Sequence, residues 1–77
     1  MTRRIKLIWD FKGADAELTA KHHCVHLEEF SKAEKLPYEE IGSNIVNDFY
    51  ALAFIIVDES MMKRFRDALK PHRGVLV

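Results

Sequence analysis

Phe49-Tyr50-Ala51-Leu52-Ala53-Phe54-Ile55-Ile56-Val57 is the stretch that decides the fold. Read at a period of two, Tyr50, Leu52, Phe54 and Ile56 share one face, and Ala51, Ala53, Ile55 and Val57 share the other. Both faces are apolar. A strand of that kind belongs in the middle of a sheet that is covered on both sides.

Working outward, Tyr38 to Asn47 is a weaker strand pattern, with Ile41, Ile45 and Val46 around Gly42-Ser43-Asn44. Asn47-Asp48 supplies the turn between the two. Beyond Val57, Asp58 or Ser60 can cap a helix carrying Met61, Met62, Phe65, Ala68 and Leu69 at helical spacing. Pro71 stops it, and Gly74-Val75-Leu76-Val77 reads as a short last strand. At the other end, Ile5, Leu7, Trp9 and Phe11 alternate through Arg4 to Lys12, a strand followed by Gly13. Asp15 is placed to cap a long helix that the pattern carries to about Leu36, ahead of Pro37.

On a wheel of about 100° per residue, Ala16, Ala20, His23, Leu27 and Phe30 line one side of this helix, flanked by Thr19, His26 and Ala33. Glu17, Lys21, Glu28, Lys32 and Lys35 fall opposite, and Leu18, Val25 and Leu36 form a second line. The order is therefore β-α-β-β-α-β in one domain over residues 1–77, an α+β fold of the ferredoxin-like class. It predicts a four-stranded sheet with both helices on one face. The chain has no residues left to cover the other face, so the reading expects a homodimer through it.

Composition agrees. The 77 residues carry 12 Lys/Arg and 12 Asp/Glu, with 48% apolar and 31% charged residues, which is globular and not disordered. The longest apolar run, Ala51 to Val57, is far below the roughly 18 to 20 residues of a membrane helix. Zero formal charge gives no global footprint for nucleic acid or anionic lipid. That zero is a sum of opposites: residues 1–12 carry +3, 13–48 carry −5, and 49–77 carry +2. A single cysteine, Cys24, permits no internal disulfide, and no leader-like apolar run follows Met1-Thr2-Arg3-Arg4, so a cytoplasmic location is expected.

Ile5-Lys6-Leu7-Ile8-Trp9-Asp10-Phe11-Lys12 in the first strand and His26-Leu27-Glu28-Glu29-Phe30 in the first helix, together with the element order, make the chain resemble the dimeric α+β barrel superfamily. Those proteins pair ferredoxin-like domains sheet to sheet and include stress-responsive barrel domains and small monooxygenase-like and isomerase-like enzymes. The resemblance implies fold and dimer, and its hosts' chemistries are unrelated.

Three of the four histidines fall within His22-His23-Cys24-Val25-His26. His22 and His26, one turn apart, with Glu29, make a candidate half-site for a divalent transition metal. Cys24 points about 160° from His22 and cannot join it. A structural reading makes His23 a core histidine bonded to a backbone group. A ligand reading makes Trp9, Phe11 and Phe30 an aromatic wall for a small molecule, with His23 or His26 beside Asp10 as an acid–base pair if the protein is an enzyme. The plainer alternative leaves Asp10 bonding the turn at Gly13. Arg64, Lys70 and Arg73 suggest an anion, with helix-end complementation as the simpler account. The sequence thus supports a small binding or regulatory domain for a small molecule or metal ion. A cofactor-independent enzyme and a structural interaction module are the alternatives.

Overall fold

The computed structural model describes residues 3–77; Met1 and Thr2, where the expected absence of a leader was read, lie outside the described residues. The elements are β1 (Arg4–Lys12), α1 (Ala16–Ala33), β2 (Glu40–Asn47), β3 (Tyr50–Asp58), α2 (Glu59–Leu69) and β4 (Arg73–Leu76). The strands form one antiparallel sheet in the order β2-β3-β1-β4. The strand apolar on both faces is indeed interior, flanked by β2 and β1. No helix among the described residues is long and apolar enough to cross a membrane.

Alternation along β1 sorts the two sides of the sheet. Ile5, Leu7 and Trp9 join Ile55 and Val57 of β3 in a core that Leu27 of α1 and Phe65 of α2 close from above. A second cluster has four buried alanines, Ala16 and Ala20 with Ala51 and Ala53, and Phe11 and Cys24 pack against it. With no side chain beyond Cβ at these four positions, α1 can approach β3 closely. Cys24 is thereby brought to the β2 backbone, where its thiol donates to the Gly42 carbonyl at 3.2 Å.

α1 stops at Ala33, short of the expected Leu36. Lys35 turns left-handed at φ 54°, its N–H bonds the Lys32 carbonyl, and the Leu36 N–H reaches back to Ser31 at 2.8 Å. That is the Schellman arrangement, which satisfies the last carbonyls and folds the apolar residue after it into the core; Leu36 is 6% exposed. The buried line of α1 also differs from the wheel at its edges. Ser31 is buried, its hydroxyl bonded to the Leu27 carbonyl, while Thr19, His26 and Ala33 are exposed. At the other end, Asp15 occupies the N-cap position but makes no side-chain cap bond. Asp58 does cap α2, accepting from the Ser60 N–H.

The sheet face away from the helices covers part of itself. Phe54 lies across Gly42, where a β-carbon would come to 2.8 Å from the ring. The Lys6 ammonium stands 4.2 Å above that ring. Phe54 and its cross-strand partner Ile8 are consequently 6% and 5% exposed without any second chain. Leu52 and Ile56 remain half-buried, and Val75 is exposed.

Two outcomes test this account. Gly42→Ala should destabilise by about 1–3 kcal/mol through overpacking, and Phe54→Leu in the same chain should restore much of the loss in a denaturant melt. Lys35→Gly should raise stability by about 0.5–1 kcal/mol, because glycine adopts the left-handed turn without the Cβ clash.

Candidate functional site

On the uncovered face, polar side chains from three strands converge on Asp10. Antiparallel pairing sets Asp10 opposite Leu52 and Lys12 opposite Tyr50, so Tyr50 is the diagonal neighbour of Asp10 on one face. The Tyr50 hydroxyl donates to Oδ1 of Asp10. Arg73 of β4 brings Nη2 to 3.2 Å from that same oxygen and to 3.4 Å from the Tyr50 hydroxyl. The Lys12 ammonium sits 5.7 Å from the centre of the Tyr50 ring.

His72 enters by replacing backbone. The β1–β4 ladder ends at Ile8↔Arg73, with the His72 N–H donating to the Ile8 carbonyl at 2.9 Å. The next donor along the same edge of β1, the Asp10 N–H, lies past the end of the β4 ladder. The His72 ring supplies the acceptor, with Nδ1 at 2.8 Å. A ring nitrogen that accepts a hydrogen bond carries no proton, so the neutral ring holds its hydrogen on Nε2. Nδ1 also lies 3.9 Å from Oδ2 of Asp10.

Electrostatics follow from these contacts. The Tyr50 hydroxyl holds the Asp10 carboxyl below the usual carboxylate range, with the Arg73 guanidinium and His72 adding to it against an opposing effect of burial. The same bond pushes the Tyr50 hydroxyl upward, because its proton rests against a carboxylate. The Asp10 side chain is 21% exposed, against 50% for Arg73 and 54% for His72. The carboxylate is the most sheltered of the three, and Arg73 and His72 are half-exposed beside it.

The residues expected to form a site divide between the two faces. His23 lies on the helix face, its ring 4.7 Å from Trp9 and 5.5 Å from Phe11. Burial lowers its pKa, and the charges of His26 and His72 lower it further. Its Nε2 is buried with no hydrogen-bond partner, so the expected backbone bond to that nitrogen is not formed. Trp9 packs in the core and gives its indole N–H to the Leu69 carbonyl at 2.9 Å. Phe30 stacks edge-on against Phe65 at 5.5 Å. The aromatic wall is therefore core packing.

The pairing of Asp10 with His23 or His26 is not formed, because successive residues of a strand point to opposite faces: Trp9 faces α1 and Asp10 faces away. Nor does Asp10 bond the turn, whose Gly13 N–H goes to the Phe49 carbonyl. His22 and His26 meet ring to ring at 4.5 Å on the outer side of α1, and Nδ1 of His26 lies 3.5 Å from Glu29. His22 also lines an open depression with Asp15, Leu18 and Thr19. Among the described residues, no three His, Cys, Asp or Glu side chains are grouped so as to hold a metal ion. Burial raises the Cys24 thiol above its ordinary pKa, which suits a donor to a carbonyl and not a nucleophile.

The basic trio separates too: Arg64 pairs with Glu34 at 3.2 Å, Lys70 forms the left-handed end of α2, and only Arg73 reaches the Asp10 cluster. Tyr50 and His72 escape a reading by local spacing. Tyr50 becomes the diagonal neighbour of Asp10 only through the long-range β1–β3 register, which no local spacing signals. No protein-family model, curated protein or solved structure matches the chain.

His23 makes the stability of the fold depend on pH. The folded pKa lies below the unfolded one, so the unfolded chain binds more protons as pH falls past about 6.5. Stability is intact above that value and declines on acidification toward the folded pKa. His23→Phe should flatten this decline in melts between pH 7.5 and 5.5, and an unchanged decline would assign it elsewhere.

Proposed function

We propose that the protein is a small binding domain whose working surface is the uncovered sheet face, with Asp10, Tyr50, His72 and Arg73 as its polar corner. One observation carries the reading. Four polar side chains from β1, β3 and the start of β4 converge beside half-buried Leu52, with Arg73 and His72 half-exposed. Small-molecule sites commonly combine an apolar floor with a few fixed donors. The His22/His26/Glu29 line offers less, since its rings are exposed and no further donor joins them.

The α+β arrangement with β1 and β3 at its centre supports the ferredoxin-like class. The likeness of the first strand and helix to the dimeric α+β barrels supports a second reading, a homodimer through the same face. Exposed Val75 and half-buried Leu52 and Ile56 favour it. The self-cover of Phe54 and Ile8 works the other way, because it leaves less apolar area for a partner to bury.

Amide chemical shifts should separate these readings. A panel of small aromatic and aliphatic compounds, charged and neutral, should move the resonances of Asp10, Leu52 and Arg73. Shifts confined to α1 around His22 and His26 would overturn the assignment of the surface. Sedimentation at tens of micromolar should give twice the 9.0 kDa chain mass if the homodimer forms, and a 9.0 kDa species would refute the dimer.

A further inference from the structure

We propose that His22 and His26 form a copper-preferring chelate on the exposed side of α1, with two imidazole nitrogens as its protein ligands. The pair is set by the helix. Residues four apart lie one above the other on an α-helix, and the ring centres of His22 and His26 are 4.5 Å apart. Two imidazoles bound at right angles to one ion, with metal–nitrogen bonds of about 2.0 Å, have their ring centres about 4.5 Å apart. The rings thus stand at chelating separation before any ion arrives. Ala16, Ala20 and Leu27 anchor α1 along its buried side, so the ion has little left to order.

Glu29 supplies a second, independent feature. Its carboxylate lies 3.5 Å from Nδ1 of His26, which favours the ring proton on Nδ1 and leaves Nε2 with its lone pair. Ligating histidines commonly pass their far N–H to a carboxylate in this way, which fixes the tautomer and makes the ligand more basic. Glu29 is therefore a positioning residue and not a third ligand. That division agrees with the lack, among the described residues, of three His, Cys, Asp or Glu side chains grouped around one ion.

The surroundings favour a cation. Asp15 shares an open depression with His22, and Glu29 stands one turn beyond His26. The neighbouring lysines are drawn elsewhere, Lys21 to Glu17 at 3.3 Å and Lys32 to Glu28 at 3.1 Å. His22, His26 and Glu29 are all exposed, so the remaining positions on the ion fall to water. A small organic molecule gains little from such a surface, whereas an ion that keeps several waters gains two nitrogens. Two cis nitrogens completed by water oxygens suit the tetragonal geometry of Cu²⁺ or Ni²⁺, and Cu²⁺ binds a given nitrogen set more tightly. This side of α1 and the Asp10 corner lie on opposite sides of the sheet, so neither site depends on the other.

Titration calorimetry and electron paramagnetic resonance with Cu²⁺ on the full chain provide the test. One bound Cu²⁺ should couple to two imidazole nitrogens in the parent protein. In His22→Gln and in His26→Gln it should couple to one, with affinity lower by at least about tenfold, whereas Glu29→Gln should keep both nitrogens and weaken binding by about tenfold. His22→Gln combined with Val25→His preserves the number of histidines but removes the one-turn spacing, and it should behave like His22→Gln alone. Ni²⁺ at ten times its Kd should raise the melting temperature of the parent by roughly 5–10 °C, and the same concentration should leave His22→Gln nearly unmoved. Amide broadening by Cu²⁺ should be strongest at Thr19, His22, His26 and Glu29. A single coupled nitrogen in the parent, undiminished affinity in either histidine variant, or broadening centred on Asp10 and His72 overturns the chelate. Unchanged affinity in Glu29→Gln overturns the positioning role alone.

Discussion

Between β1 and β3, nine residue pairs run antiparallel from Arg4↔Asp58 to Lys12↔Tyr50, and the remaining structure is arranged around that ladder. A strand sends alternate side chains to opposite faces, so one register decides two surfaces at once. It sends Ile5, Leu7 and Trp9 toward the helices and Lys6, Ile8 and Asp10 away from them. A slip of one residue would bury Asp10 beneath α1 and bring Trp9 to the open face. Neither could be compensated, since burying an unpaired carboxylate is costly. The core and the polar corner therefore stand or fall together.

The same ladder explains why the protein manages with one helical layer. Small residues let α1 settle on β3 through Ala16, Ala20, Ala51 and Ala53, while Phe65 of α2 and Leu27 of α1 fill the space over β1. Among the described residues the opposite face carries no helix, and part of it is covered locally. Phe54 lies down over a glycine, and the Lys6 ammonium stands above the ring. At the far end of that face the strands carry polar groups, and these satisfy one another around Asp10. His72 extends the sheet there with an imidazole where backbone pairing has ended.

How much of this was legible residue by residue varied with the range of the interaction involved. The strand from Tyr50 to Val57 declared its interior position because both its faces are apolar, and α2 was marked by a capping Asp58 and the Met61–Leu69 spacing. The pattern carries α1 to Leu36, and the helix ends three residues earlier, at Ala33. Pro37 is a conspicuous stop, whereas the left-handed Lys35 has no local signature: lysine seldom takes that conformation, and here the burial of Leu36 requires it. Asp10 and Arg73 are separate candidates in the sequence, and the structure brings them together. Chemistry alone would pair His23 with Asp10, and the pleat of β1 separates them.

Sequence alone determined the six elements, their order and the side of each strand that would be apolar, because these depend on periodicities carried within single elements. Tertiary structure decided the rest. It chose the register that sets Tyr50 diagonal to Asp10, the return of β4 that places Arg73 and His72 beside β1, and the fate of each histidine. Residues ten, fifty and seventy-two to seventy-three meet only when three strands are laid side by side, and no local pattern encodes a contact whose partners lie 40 to 63 positions apart. The histidine cluster shows the converse: closeness in sequence put three rings on one helix, and packing sent one inward against Trp9 and left the other two outside.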